Sequence, residues 1–176
     1  MKYYELKQDR KLRNLIEIEG FHGCPDIVLD RNMAEQFNKC TILYVKGTQE
    51  SQYPDMIQSP VLMVSEKMYQ VLKYYDNNVI YKIVVLMDRQ QKCQNVYRLV
   101  LPMQQDVLDE RTTYDHNGLL DQIVISPRAD KRQRIFYVSE GITHHLIVTQ
   151  DVLESMLALI AMFFHPCCTQ HCQPVK

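Results

Sequence analysis

The chain has 176 residues, 20 Lys and Arg against 21 Asp and Glu, a formal charge of −1, and 46% apolar residues. A chain of this length buries about 70% of its unfolded surface, enough for a hydrophobic core without disulfides or a structural metal. The composition excludes disorder, collagen and coiled coil, and the balanced charge removes the global electrostatic case for nucleic acid.

At the start, Tyr3, Tyr4 and Leu6, then Leu15, Ile16 and Ile18, predict two short strands. No apolar stretch or small-residue cleavage site follows the basic Lys2, so no secretory leader is expected and the cytoplasm is the expected compartment. Ile27-Val28-Leu29 reads as a strand running into a helix capped by Asp30, with Met33, Ala34 and Phe37 as its apolar side, and Thr41 to Val45 returns as a strand. Gly47 to Ser59 is polar and carries Pro54, so an exposed loop is expected. Val61 to Val64 then leads into Ser65 and a helix with Met68, Val71, Leu72 and Tyr75 inward.

The middle is rich in strand signals: Val79 to Met87, Val96 to Leu101, Ile123 to Ile125 and Ile135 to Val138, separated by turn-forming Asp, Asn, Gly and Pro. Leu146-Ile147-Val148 leads into Thr149 and a last helix, repeating the strand-cap-helix pattern of Leu62-Met63-Val64-Ser65. The apolar residues Val152, Leu153, Met156, Leu157, Leu159, Ile160, Phe163 and Phe164 cover more than one face, which predicts a helix that is packed on several sides or completes an oligomer interface, with Leu157 as the test position for the core. Its longest apolar run, Met156 to Phe164, is far short of the roughly 20 residues a membrane span needs. The expected fold class is α+β: a mixed or largely antiparallel sheet with a few packed helices, one of them C-terminal. Residues 1–165 are expected to form one domain and 166–176 a tail with little paired backbone.

Motifs of catalysis are missing. The five glycines include one close pair, Gly20 and Gly23, which excludes the familiar nucleotide-binding loops, and neither G-x-S-x-G nor H-E-x-x-H occurs. The tail holds Cys167, Cys168, His171 and Cys172, ligand types that zinc prefers. They crowd into one short stretch rather than two separated knuckles, so incidental thiols are the plainer reading and no metal or cofactor is expected. The different-class alternative is a small metal-thiolate or Cys-dependent enzyme built on this cluster. His144 and His145 look like a metal pair, but neighbours on a strand face opposite ways, so one is expected inward and bonded and the other exposed. His22 and Cys24 flank Gly23 without an identifiable orienting group, which leaves a nucleophilic pair unsupported.

Charge is unevenly placed. Asp106, Asp109, Glu110, Asp115 and Asp121 meet only Arg111, whereas Arg128, Lys131, Arg132 and Arg134 follow against Asp130 alone. Solvated loops, or loops that satisfy each other, are the plain reading. The functional reading is an acidic surface that steers a basic partner.

The order of segments resembles a bacterial family of small cytoplasmic immunity proteins from polymorphic toxin systems. The resemblance runs over roughly residues 58–160. It is carried by Ser59-Pro60-Val61-Leu62-Met63-Val64-Ser65, Val96-Tyr97-Arg98-Leu99-Val100, Asp106-Val107-Leu108-Asp109-Glu110-Arg111, Arg134-Ile135-Phe136-Tyr137 and Leu146-Ile147-Val148-Thr149. This chain departs from the family pattern at Thr112-Thr113, where a Ser is usual, and at His165-Pro166-Cys167-Cys168, where a Gly is usual. The resemblance implies a non-catalytic protein that binds and neutralises a cognate protein toxin, and the short apolar run and balanced charge predict no membrane or nucleic-acid partner. Asp106, Asp109, Glu110 and Asp115 are the candidate partner-binding residues.

Overall fold

The computed structural model describes residues 1–9, 11–20, 29, 31–36, 38–116, 120–140, 143–162 and 171–175. The strands are β1 (Tyr3–Lys7), β2 (Glu17–Ile18), β3 (Cys40–Lys46), β4 (Met56–Ile57), β5 (Met63–Ser65), β6 (Ile80–Asp88), β7 (Cys93–Leu101), β8 (Met103–Gln104), β9 (Thr113–Tyr114), β10 (Leu120–Gln122), β11 (Ile135–Glu140), β12 (Thr143–Thr149) and β13 (His171–Val175). Helices α1 (Glu66–Tyr75) and α2 (Gln150–Met162) and a short 3-10 helix at Arg31–Gln36 complete the described elements. The architecture is α+β and mostly sheet.

Two large sheets hold the molecule together. One runs β2-β3-β6-β7-β5-β4 and the other β13-β1-β12-β11-β8. Only β3 with β6 and β8 with β11 pair in parallel; the remaining neighbours are antiparallel. Strands of both sheets bury residues on two faces over part of their length, which explains why they read as continuous apolar runs rather than alternating ones. Leu62, Val64, Val100, Leu146 and Val148 point into a central core with Met68 and Leu72 of α1 and Val152, Leu153 and Met156 of α2. The intervening residues turn the other way: Met63, Leu99 and Leu101 pack with Val84 and Leu86 beneath the larger sheet, and Phe136, Val138 and Ile147 form a third cluster outside the smaller one.

The strand-cap-helix pattern repeats far beyond its local sequence. Around β5 the strand order is β6-β7-β5-β4, and around β12 it is β13-β1-β12-β11. Registers agree as well: Met56↔Val64 and Ile57↔Met63 in one half match Ile135↔Val148 and Phe136↔Ile147 in the other. Likewise Ser65↔Tyr97 and Met63↔Leu99 match Thr149↔Tyr3 and Ile147↔Glu5. Ser65 and Thr149 each donate a backbone N–H to the residue that precedes the neighbouring strand, Ser65 to the Asp55 carbonyl at 2.8 Å and Thr149 to the Arg134 carbonyl at 3.0 Å. The second half takes the first strand of the chain, β1, in the place that β7 holds in the first half, with β13 in the place of β6. The two helices meet in the central core, where the Tyr75 hydroxyl lies 2.6 Å from Ser155 Oγ.

Several expectations need correction. Leu157 is 47% exposed, because the buried face of α2 is the stripe Val152, Leu153 and Met156 and the next position turns outward. The segment Gly47 to Ser59 is exposed at Thr48 to Glu50 and at Ser59, and partly or fully buried between them. Within it Met56 and Ile57 are buried as an edge strand on β5, and Tyr97 donates its hydroxyl to the Pro54 carbonyl at 2.7 Å. Ile123, Val124 and Ile125 are buried but form no strand of a large sheet; Ile125 makes an isolated bridge with Leu108. The tail is not wholly unpaired, since β13 lies antiparallel to β1 with His171 opposite Lys7 and Cys172 opposite Leu6. The predicted strand at Ile27-Val28 and its Asp30 cap lie outside the described residues. Among those described, no helix is long and apolar enough to cross a membrane.

Candidate partner-binding surface

After β7 the chain turns at Pro102 into β8, which joins the other sheet beside β11. Residues from Gln105 onward then cover the outer face of that sheet. Val107, Ile123, Ile125 and Ala129 pack onto Phe136, Val138 and Ile147. Backbone bonds fasten this cover to itself: Asp109 donates to the Val124 carbonyl at 2.9 Å and Ser126 to the Val107 carbonyl at 2.8 Å. Thr112 is buried; its hydroxyl donates to the Val124 carbonyl at 3.3 Å and accepts from the Val124 N–H at 3.2 Å. Apolar residues and Thr112 thus anchor the arm, and the carboxylates are left toward its outside.

Asp106 and Glu110 are exposed, and Asp109 and Asp115 are half-buried. Asp109 closes on the arginine two residues along, with Arg111 Nε at 2.7 Å and Nη2 at 3.3 Å from its two oxygens. These bonds from Arg111 hold the Asp109 carboxyl below its ordinary range and raise the guanidinium. One of the four predicted acids is therefore matched within its own turn.

The basic segment solves its charge separately. Arg132 binds Asp130 through Nε at 3.1 Å, and Arg134 pairs with Asp151 at the start of α2. The Arg132 bond lowers the Asp130 carboxyl. These pairs are local to the basic turn and α2. Arg128 and Lys131 are exposed.

The two histidines face opposite ways on β12, and both are partly buried and bonded, so neither is the exposed residue that was expected. His145 Nδ1 lies 2.6 Å from Glu5 Oε1, and Lys7 Nζ is 3.0 Å from Glu5 Oε2. His144 Nδ1 lies 2.8 Å from Ser139 Oγ, and its ring meets Tyr137 edge-on at 5.6 Å. Burial, and secondarily the neighbouring His145, lowers the His144 pKa. Among the described residues no group of three or more His, Cys, Asp or Glu could hold a metal. Cys167 and Cys168 lie outside those residues, as do His22 and Cys24.

Two features were not found from sequence. The first is a cleft of about 340 Å³ between the 3-10 helix, the Pro102 crossing and the β11–β12 hairpin, where Arg31, Gln104, Tyr137 and His144 come together. Pro102, a strand breaker that ends the apolar run Leu99 to Leu101, was the available signal, since a chain that changes sheet leaves a seam. The second is an apolar patch across three strands: Ile42 and Val96 are 52% and 44% exposed, with Val85 between them in register. The apolar run Ile83 to Met87 was its signal, because a strand apolar on both faces needs two covers. The helical layer lies over β5, β7 and Tyr81.

No known family model matches this chain, and no curated protein matches it.

Proposed function

We propose that the chain is a non-catalytic binding protein of the immunity type, which neutralises a cognate protein toxin by direct contact in the cytoplasm. The observation that carries this reading is the acidic arm. Its anchors are apolar, Thr112 and backbone groups, while Asp106 and Glu110 stand in solvent and Asp109 and Asp115 reach it in part. The ordered resemblance between Ser59 and Thr149 supports the same reading. An immunity protein must meet its toxin before the toxin acts, and charge is the physical means of raising an encounter rate. A toxin that grips nucleic acid is basic, so an acidic docking arm suits it and disfavours nucleic acid itself as a partner.

The test replaces the four acids together, as Asp106→Asn, Asp109→Asn, Glu110→Gln and Asp115→Asn, and measures binding to the toxin domain encoded beside the chain. Association should slow by about tenfold at low salt and lose most of its salt dependence, while the melting temperature holds. An unchanged rate with an unchanged salt slope would place the docking surface elsewhere.

A further inference from the structure

We propose that the cleft at the seam of the two sheets binds a small organic monoanion with a short apolar body. The site does not rest on the acidic arm, none of whose four carboxylates lines it.

The volume of about 340 Å³ lies within the range, roughly 300 to 1,000 Å³, in which proteins hold small ligands. Its position follows from the topology. The chain leaves the larger sheet at Leu101 and enters the smaller one at Met103, so the two sheets part at Pro102 and leave a space between them.

The polar groups at the mouth are held in place by bonds to the fold. Arg31 Nη1 donates to the Leu101 carbonyl at 2.9 Å, which fixes the side chain and leaves the rest of the guanidinium for a ligand. His144 is fixed through Nδ1 by Ser139 at 2.8 Å and by the edge of Tyr137, so Nε2 is the ring nitrogen left to make a contact. Burial keeps this imidazole neutral near pH 7, so it supplies a hydrogen bond rather than a second charge. Arg31 is the one formally charged side chain among the described residues that line the cleft. A carboxylate balances that charge, and its two oxygens match the planar fork of a guanidinium. A phosphate dianion would bring one negative charge too many.

The apolar half of the ligand is set by what lies beneath. Leu29, Tyr137 and His144 line both the cleft and a second, smaller cavity of about 40 Å³, whose walls include Gln58 beside Leu6, Leu62, Val100 and Leu146. The aliphatic side chains of that wall favour a hydrocarbon end of the ligand. Each methylene it buries is worth about fourfold in affinity.

Binding of hexanoate to the full chain, followed by ligand-observed NMR and by melting temperature, tests the assignment, with acetate, hexylamine and inorganic phosphate as comparison probes. Hexanoate should bind at millimolar concentration or better and raise the melting temperature. Acetate should bind at least about tenfold more weakly, and hexylamine and phosphate should not bind. Arg31→Met should cost hexanoate about tenfold in affinity, and Arg31→Lys, which keeps charge without the fork, should recover part of that loss. His144→Phe, which fills the mouth and removes Nε2, should abolish binding and gives a second variant if Arg31→Met does not fold. Absence of hexanoate binding at about 20 mM would overturn the proposal, as would equal binding of hexylamine or of phosphate. Unchanged affinity in both the Arg31→Met and His144→Phe chains would overturn it too.

Discussion

Met156 and Leu157 are neighbours on α2 with opposite surroundings, and composition alone does not separate them. Both belong to an apolar run that covers more than one helical face, but the core takes the stripe that includes Met156 and leaves Leu157 nearly half exposed. Met156→Ala should therefore cost about 2 to 5 kcal/mol in urea unfolding, and Leu157→Ala no more than about 0.5 kcal/mol. Equal costs would mean that α2 is rotated from the orientation described. Glu5 makes a second residue-scale case. Burial alone would push its carboxyl up, yet the bonds from His145 and Lys7 outweigh burial and hold it below the ordinary value. A carboxylate lowered in the fold stabilises it above the unfolded pKa near 4.3, and that contribution fades as pH falls through the folded value. Glu5→Gln should lower stability at pH 6 by about 1 to 3 kcal/mol, and the difference from the unsubstituted chain should shrink as the pH approaches about 3. A difference that stays constant between those two pH values would show that the ionised carboxylate is not what the site uses. One of His144 and His145 was expected inward and bonded, but the pairing of His145 with Glu5 was not legible in sequence, because 140 residues separate the two.

Elements that announce themselves locally were legible, and those defined by a partner were not. Ser65 before the spaced Met68 and Leu72 predicts α1, and the helix starts there with Ser65 Oγ accepting the Met68 N–H at 3.3 Å. The same hydroxyl donates to Asp55 Oδ1 at 2.6 Å, a link to the strand before it that no spacing rule contains. Ser65→Ala should thus cost about 1 to 2 kcal/mol, at the upper end for a cap, by thermal or urea unfolding. A loss below about 0.3 kcal/mol would mean that the cap is dispensable. β4 went unseen because two residues cannot show alternation, and Met56 and Ile57 are strand only through their register with β5. The converse error fell at Ile123 to Ile125, where an apolar run marks burial but the partner is an irregular segment at Val107 to Asp109 rather than a ladder. The acidic arm was legible as charge, whereas its anchoring through Thr112 and Val124 was not.

At the scale of the whole molecule, the repeated strand-cap-helix pattern was visible in sequence as two short matching stretches, but its extent was hidden by the order of the chain. The second half is completed by a strand from the opposite terminus, so no window of sequence contains it. This arrangement makes β1 a central strand. It lies between β12 and β13, buries Leu6 in the central core and Glu5 beside His145, and occupies the place of β7. β13 lies at the sheet edge, outside β1. The two ends of the chain should therefore differ sharply in what their removal does. A chain lacking residues 1–8 loses a core side chain and both ladders that β1 makes, which destabilises by more than a small domain's usual margin of about 5 to 15 kcal/mol allows to be ignored. It should lose cooperative unfolding and native chemical-shift dispersion. A chain ending at Gln170 loses one edge ladder, and it should keep both properties with a lower melting temperature. Because β1 is held by its neighbours rather than by the loop that follows it, a synthetic peptide of residues 1–9 added to the first truncated chain should restore dispersion in a saturable way. Cooperative unfolding at an unchanged melting temperature without residues 1–8 would show that the second half stands without its borrowed strand, and the correspondence between the halves would then be one of shape alone.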